Sequence, residues 1–538
     1  MKRRPAILGQ RRWAGLMILV GLAFGQAVTM IVTAFATRDV FMYLRDGAAA
    51  LPYHALIGIG LAGVALFALR AIEGRVAERT GQSYAADIRQ ALFKQITRMP
   101  ASAIARRRSG ALALRYVGDL AAFKGWVSRG LARLISASIT IPAALLVLYI
   151  LEPRLFLAAI GPILAVMVGI FCLGRPLGTA HSTLRTRRAR LAAAMAERLP
   201  QGIALRRSGR IKTELRLLSE KSDGIIEAAV QRASLAATVR ALPDAGSGVA
   251  SALCLFVCMH LQLGVADAVA ALTALALVVW PLRHLADVTD RRRAYVVASG
   301  KLDKLLSAPR LPAFGHQEPK DDERPIDVTE VCLPGMQPFN IRLQGSEIKR
   351  LVGPEGSGKS TLLLMLAGFE TPPDAQDFKV LGVHPAAIPA GRLLYLGRHA
   401  PQLKGSLRRE ATLGTGRNPD DEAITAAIDR AGLNNLAGRL GGPGGQIAEG
   451  RRNLTATEQS RLLLLRGLLA KPDLALIDAD EIGLEGEMLQ VLLDHLGQVG
   501  AAALIVTSDR SAMARLPIAA TISCLKEDTP GFSGLAAE

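Results

Sequence analysis

Long apolar runs dominate the first part of the chain. Six are long enough to cross a bilayer, which takes about 20 helical residues. They fall at 14–37, 52–72, 131–151, 154–175, 244–263 and 265–283. Two polar excursions separate them, "AERTGQSYAADIRQALFKQITRM" after the second run and "LRTRRARLAAAMAERLPQGIALRR" after the fourth. Both keep a helical spacing of apolar positions with few breakers. They predict helices that leave the membrane and continue tens of ångströms beyond it. Amphipathic helices lying on the membrane surface are the alternative; the length of the excursions and their place between matched spans favour extension.

Beyond residue 306 the pattern changes. "SAPRLPAFGHQEPKDDERP", residues 307–325, is rich in proline and charge and reads as a linker. From 326 onward short apolar runs alternate with helical patterns. "RLLYLG", "LALID" and "ALIVT" are candidate buried strands of a mainly parallel sheet. The expected organisation is an all-α transmembrane domain of six helices with long extensions over 1–306, a linker over 307–325, and an α/β nucleotide-binding domain over 326–538.

Composition supports this division. Half of the 538 residues are hydrophobic and the formal net charge is +19, with a mean hydropathy of +0.28. A basic, apolar chain suits a lipid bilayer. A nucleic-acid partner is not expected, because the basic residues flank apolar runs and aromatics for base stacking make up only 4%. The basic clusters orient the spans. Lys2, Arg3, Arg4, Arg11 and Arg12, the group from Arg75 to Arg108, and the group from Arg185 to Arg210 belong on the cytoplasmic side. Both termini then lie inside, as in a multi-pass protein of a bacterial inner membrane. The basic start "MKRRPAILGQRRW" could open a signal peptide, but the apolar run reaches about Thr37 and "ATRDVF" is a poor cleavage site, so a retained first span is expected. Of five cysteines, Cys254 and Cys258 stand at i,i+4 inside an apolar run without a His/Cys partner set; they read as small membrane-helix residues. Asp267 is expected to cap the sixth helix, Pro281 to kink or end it, and His260 to be a satisfied interfacial residue.

The chemistry concentrates in "LVGPEGSGKSTLL", residues 351–363. The residues Gly353, Pro354, Glu355, Gly356, Ser357, Gly358, Lys359, Ser360 and Thr361 follow the spacing of a phosphate-binding loop. Glycines let backbone N–H groups turn toward phosphate oxygens, and the helix opening near Lys359 adds its positive end. Lys359 is expected to reach the β- and γ-phosphates and Ser360 to ligate Mg²⁺. "KPDLALIDAD" places Asp478 at the tip of a buried strand, where a carboxylate can hold a Mg²⁺-bound water.

With these motifs the chain resembles an ABC exporter half-transporter, six membrane helices followed by one ATP-binding cassette. The likeness runs nearly end to end. "ADIRQALFKQITRMPASAIARRRSGALALRYVGDL" is similar to the family's region between the second and third helices, and "AMAERLPQGIALRRSG" to that between the fourth and fifth. The resemblance implies ATP and Mg²⁺ as cofactors, coupling helices near 109–118 and 207–215, and a dimer of two halves. Each nucleotide would be sandwiched between the phosphate loop of one cassette and the signature motif of the other.

Several of the family's positions are altered here. Ala479 stands where the general base is expected, with Asp480 and Glu481 displaced beyond it; such a base contributes about 10²–10⁴-fold. Ser508 or Asp509 occupies the switch-histidine position, depending on alignment, and no histidine follows His495. The signature aligns with Leu454, Thr455, Ala456, Thr457 and Glu458, in which Thr457 replaces a glycine with a stiff β-branched residue. Arg398 falls where a glutamine is expected, with Gln402 four residues late. Glu485 replaces an aspartate, and Cys332 or Leu333 replaces the adenine-stacking aromatic. The expected function is an exporter-type subunit that binds Mg-ATP and hydrolyses it weakly or only with a partner. A second half-transporter is the expected partner, in a heterodimer by preference and a homodimer as the alternative. A non-hydrolysing, ATP-binding membrane scaffold is the alternative function. The transported substrate is not legible: the spans are rich in Ala, Leu and Val.

Overall fold

The structure, a computed structural model, describes residues 4–46, 51–105, 120–312, 314–315, 317–318, 325–331, 339–372, 378–416 and 418–522. It divides into two compact units, Met1–Gln95 with Gly110–Ala308, and Ile96–Ser109 with Pro309–Glu538.

The first unit is helical. Among the described residues six helices are long and apolar enough to cross a membrane: α1 (Gln10–Asp46), α2 (Tyr53–Ile96), α3 (Leu120–Leu151), α4 (Pro153–Arg198), α5 (Ile211–His260) and α6 (Val265–Leu306). Four of the six expected spans fall wholly inside them; 52–72 starts one residue before α2, and 244–263 runs three residues past the end of α5 into the following turn. Glu152 alone separates α3 from α4, because its extended backbone (φ −165°) and Pro153 at the first helical position fix a sharp reversal. The link "LQLG" becomes a four-residue turn with Gln262 at φ 50°. Between α4 and α5 a short helix, Gly202–Arg207, forms the tip. Its partner turn uses Gly209 at φ 70°, and the long helix resumes at Ile211. The stretch 207–215, expected to form a coupling helix, is therefore not one helix: the short helix ends at Arg207 and Gly209 breaks helical structure inside that range. The stretch expected at 109–118 lies outside the described residues.

Small residues let these helices approach closely, as packing in lipid requires. Ala34, Ala137, Ala144, Ala159, Ala250 and Ala271 are buried among Leu148, Leu155, Leu275 and Leu282. Cys254 and Cys258 are buried in the same cluster. Polar contacts cross-link the bundle. Gln26 donates to Glu73 at 2.6 Å, and Arg133 pairs with Asp287. Asp267 does not cap α6: its carboxylate accepts from Arg38 Nε at 2.6 Å, tying α6 to α1 instead. Pro281 lies inside α6, which continues to Leu306. His260 is the last residue of α5 and stacks with Phe256.

In the second unit, strand β1 (Ile326–Val331) pairs antiparallel with β2 (Phe339–Leu343) and with β4 (Lys379–Val380). A five-stranded parallel sheet carries the site. It comprises β3 (Ile348–Val352), β5 (Leu393–Leu396), β6 (Leu474–Asp478), β7 (Ala502–Val506) and β8 (Ile518–Thr521), in the order β8-β3-β7-β6-β5. β6 and β7 are buried along their whole lengths, which explains their near-continuous apolar sequences. Helix α7 (Lys359–Leu366) buries Leu362, Leu363, Met365 and Leu366, and helix α8 (Ala456–Leu469) buries the run from Leu462 to Leu469. Within this unit Ala101 N–H donates to Phe369 O at 2.8 Å, and Ser102 N–H to the Glu370 carboxylate at 2.8 Å.

Candidate nucleotide site

The loop between β3 and α7 has the backbone of an anion cradle. Gly356 and Gly358 both adopt φ 75°, a conformation that disfavours side chains, and Gly358 caps α7. At Gly353 a Cβ would lie 2.7 Å from Ile522 O and 2.7 Å from Ser357 Oγ, so the approach of β8 requires glycine. Pro354, Glu355 and Gly356 are exposed, as are Ser360 and Thr361 in the first turn of α7. Ser357 is fully buried and its hydroxyl has no hydrogen-bond partner among the described residues. Lys359 curls over the loop and donates to Gly353 O (2.7 Å) and Pro354 O (2.8 Å). An ammonium bonded only to neutral carbonyls is available to a stronger, charged acceptor.

Asp478 ends β6 at the carboxyl edge of the same sheet, two strands from β3. It is 2% exposed, and its Oδ2 has no hydrogen-bond partner among the described residues. A buried carboxylate oxygen without a partner is costly unless a cation or its water completes it. The glycine cradle, the Lys359 ammonium, the exposed Ser360 hydroxyl and this carboxylate together fit a triphosphate with a divalent metal. The carboxyl edge of a parallel sheet is also where such ligands bind.

The positions around this cradle are tied to one another. Ala479 is fully buried and opens a one-turn helix, Ala479–Ile482, ended by Gly483 at φ 65°. Asp480 accepts from Ser508 N–H at 2.7 Å and from Ser508 Oγ at 2.9 Å. Glu481 accepts from Arg398 N–H at 3.4 Å, and the Arg398 guanidinium lies 3.8 Å from it. Asp509 caps the helix Arg510–Arg515 and accepts from Gly486 N–H at 2.6 Å. That bond, with those from Ser511, holds its carboxyl down to about 2. Gln402 is exposed, and Cys332 and Leu333 lie outside the described residues.

Thr455 caps α8 in a capping box. Its hydroxyl accepts from Glu458 N–H at 3.2 Å while Glu458 accepts from Thr455 N–H at 2.7 Å. Arg439 also donates to Glu458 at 3.0 Å. The Thr455 amide and Arg439 hold the Glu458 carboxyl below its ordinary range, so a negative charge stands in the first turn of α8. Sequence reasoning missed one ionic cluster beside these elements. Glu410 is fully buried and accepts from Arg451 at 2.9 Å and from Arg466 at 3.5 Å. Arg466 sits in a run of leucines, where only its being the one charge in an apolar stretch could have drawn notice.

A phosphate cradle and a strand-end carboxylate on a parallel sheet, in a chain with six span-length helices, define a multi-pass membrane protein with a nucleotide cassette. The comparisons with known proteins agree: the chain belongs to the ABC transporter family. Residues 13–282 match the ABC transporter transmembrane region and residues 336–480 the ABC transporter family proper, as in a half-transporter with one cassette. Cassettes of this family bind ATP, typically with Mg²⁺. Among similar proteins, the mycobactin import ATP-binding/permease protein IrtB of Mycolicibacterium thermoresistibile is 28% identical over 250 residues, 44% of this chain and 42% of that protein. The thiamine import ATP-binding protein ThiQ of Mesorhizobium japonicum is 33% identical over 171 residues, 30% of this chain and 63% of that protein. ThiQ of a Chelativorans species is 31% identical over 183 residues, 32% of this chain and 70% of that protein. The match thus spans less than half the length of the mycobactin relative.

Proposed function

We propose that this chain is an exporter-type half-transporter whose cassette grips Mg-ATP without supplying the group that activates water. The membrane domain is 1–306, the linker 307–325 and the cassette 326–538, with both termini cytoplasmic in a bacterial inner membrane. Gly353 to Thr361 hold the phosphates, and Ser360 and Asp478 hold the metal, which screens phosphate charge when bound. The observation that carries the proposal is the pairing at the strand end. Ala479 is a buried methyl, and the next two carboxylates are each engaged, Asp480 by Ser508 and Glu481 by Arg398. A methyl accepts no proton, and the bonded carboxylates are held toward Ser508 and Arg398 instead of serving as a free base.

A second half with an intact base is the favoured partner, and the pair is the transporting unit. Purified full chain, alone and co-expressed with a neighbouring half, tests this through phosphate release. Turnover only in the pair supports the proposal; brisk turnover by the chain alone overturns it. The mycobactin relatives are named for import, so flux in sealed vesicles is to be read in both directions.

One observation favours the scaffold reading. Glu458, anionic and locked in the capping box, together with Thr457, makes this signature segment a poor face for another cassette's γ-phosphate. A scaffold would close on ATP with no substrate flux in vesicles.

A further inference from the structure

The helical unit holds a cavity of about 1050 Å³ walled by α3, α4 and α6. It exceeds the usual range of ligand pockets, about 300–1,000 Å³. Its walls are mostly apolar, with Trp126, Met167 and Phe171 among them, yet three guanidiniums line it, Arg175, Arg292 and Arg293, and among the described residues no carboxylate does. The nearby acids of α6 are engaged elsewhere: Asp287 pairs with Arg133, and Asp290 lies 3.8 Å from His181. Arg293 donates to Gly174 O and Arg175 O of α4, so it is partly structural. Arg175, whose guanidinium lies 5.6 Å from the Phe171 ring centroid, and Arg292 are exposed. Neither has a carboxylate partner among the described residues.

Depth adds to the charge. Arg175 lies about 33 Å along α4 from Pro153 and Arg292 about 40 Å along α6 from Val265. A hydrocarbon core is about 30 Å thick; for helices that enter it at Pro153 and Val265, Arg175 stands near its far edge and Arg292 about 10 Å beyond it, while Met167 and Phe171 lie further in. A π-helical turn, Trp126–Leu131, shapes one wall. A Cβ on Gly130 would lie 2.4 Å from the Trp126 ring, so glycine there lets the indole lie against its own helix.

We propose that this cavity binds an amphiphile drawn from the bilayer, its phosphate or carboxylate head on Arg175 and Arg292 and its apolar body along Phe171 and Met167. Guanidinium forks suit either head.

The test uses the full chain in phosphatidylcholine nanodiscs without nucleotide, so its outcome is separate from that of the phosphate-release experiment. Brominated phosphatidylglycerol, a brominated fatty acid and brominated phosphatidylcholine are compared as quenchers. The signal is the part of the tryptophan quenching that Trp126→Phe abolishes. Stronger quenching by either anionic probe than by phosphatidylcholine is expected, and which probe acts tells phosphate from carboxylate. Arg175→Gln/Arg292→Gln, which leaves the Arg293 bonds intact, should weaken the anionic probe by about tenfold, as loss of a charge-assisted pair does. Arg175→Lys/Arg292→Lys should retain most of the preference. Equal quenching by all three probes, an unchanged preference in the glutamine variant, or no quenching because protein covers the cavity overturns the proposal.

Discussion

Asp480 accepts two hydrogen bonds from Ser508, one from the backbone N–H and one from the hydroxyl. Glu481 makes the matching contact with Arg398 on the other side. The two carboxylates that follow Ala479 thus connect neighbouring loops. In Asp480→Asn and Glu481→Gln variants, phosphate release should stay within about twofold of the parent chain, whereas loss of a true base costs about 10²–10⁴-fold. A hundredfold fall in either variant would identify a base.

Lys359 is bonded to Gly353 O and Pro354 O, and a triphosphate would take it from those carbonyls. Replacing it with alanine removes charge-assisted bonds worth about 1.5–3 kcal/mol. ATP affinity, measured by equilibrium dialysis on the full chain, should fall roughly 10- to 100-fold. Unchanged affinity would place the nucleotide elsewhere.

Much of this was legible in the sequence because local rules sufficed. The six spans follow from the length of the apolar runs, and the glycine turn that opens α7 from the glycine spacing. Asp478 follows from its place after "LALI". What was not legible depends on pairs distant in sequence. Nothing near Asp480 announces Ser508, nor does the sequence around Asp267 announce Arg38, so a local cap was expected where an ion pair between α6 and α1 forms. The turn at Gly209 ends helical structure inside the stretch expected for the second coupling helix, because one positive φ outweighs the periodicity around it.

Glu410 sits between two buried arginines. Burial pushes Arg466 down to about 10, so it stays charged at neutral pH. Glu410→Ala leaves two buried cations without their anion, which costs about 3–5 kcal/mol in such clusters. Thermal unfolding of the full chain in detergent should show a large destabilisation of the cassette transition. A shift no greater than that of a surface substitution would contradict this role.

The capping box of α8 makes a pH-dependent contribution. Thr455→Ala should cost about 1 kcal/mol at neutral pH. Glu458 is held by the Thr455 amide and Arg439 below its ordinary carboxyl range, so its folded value lies beneath its unfolded value of about 4.3. Its stabilisation is complete above the unfolded value and is lost as pH falls through the folded one. The destabilisation of Glu458→Gln, followed by thermal unfolding, should therefore hold through neutral pH and shrink in acid. A penalty that persists below the carboxylate range would contradict it.

The most direct measurement is a single-turnover experiment with the isolated full chain in excess over radiolabelled Mg-ATP. ATP should bind, depend on Lys359 for binding, and be recovered intact over times in which a working cassette converts it. Rapid formation of ADP by the chain alone, abolished when Asp480 or Glu481 is neutralised, would contradict the assignment of Ala479 to an empty base position.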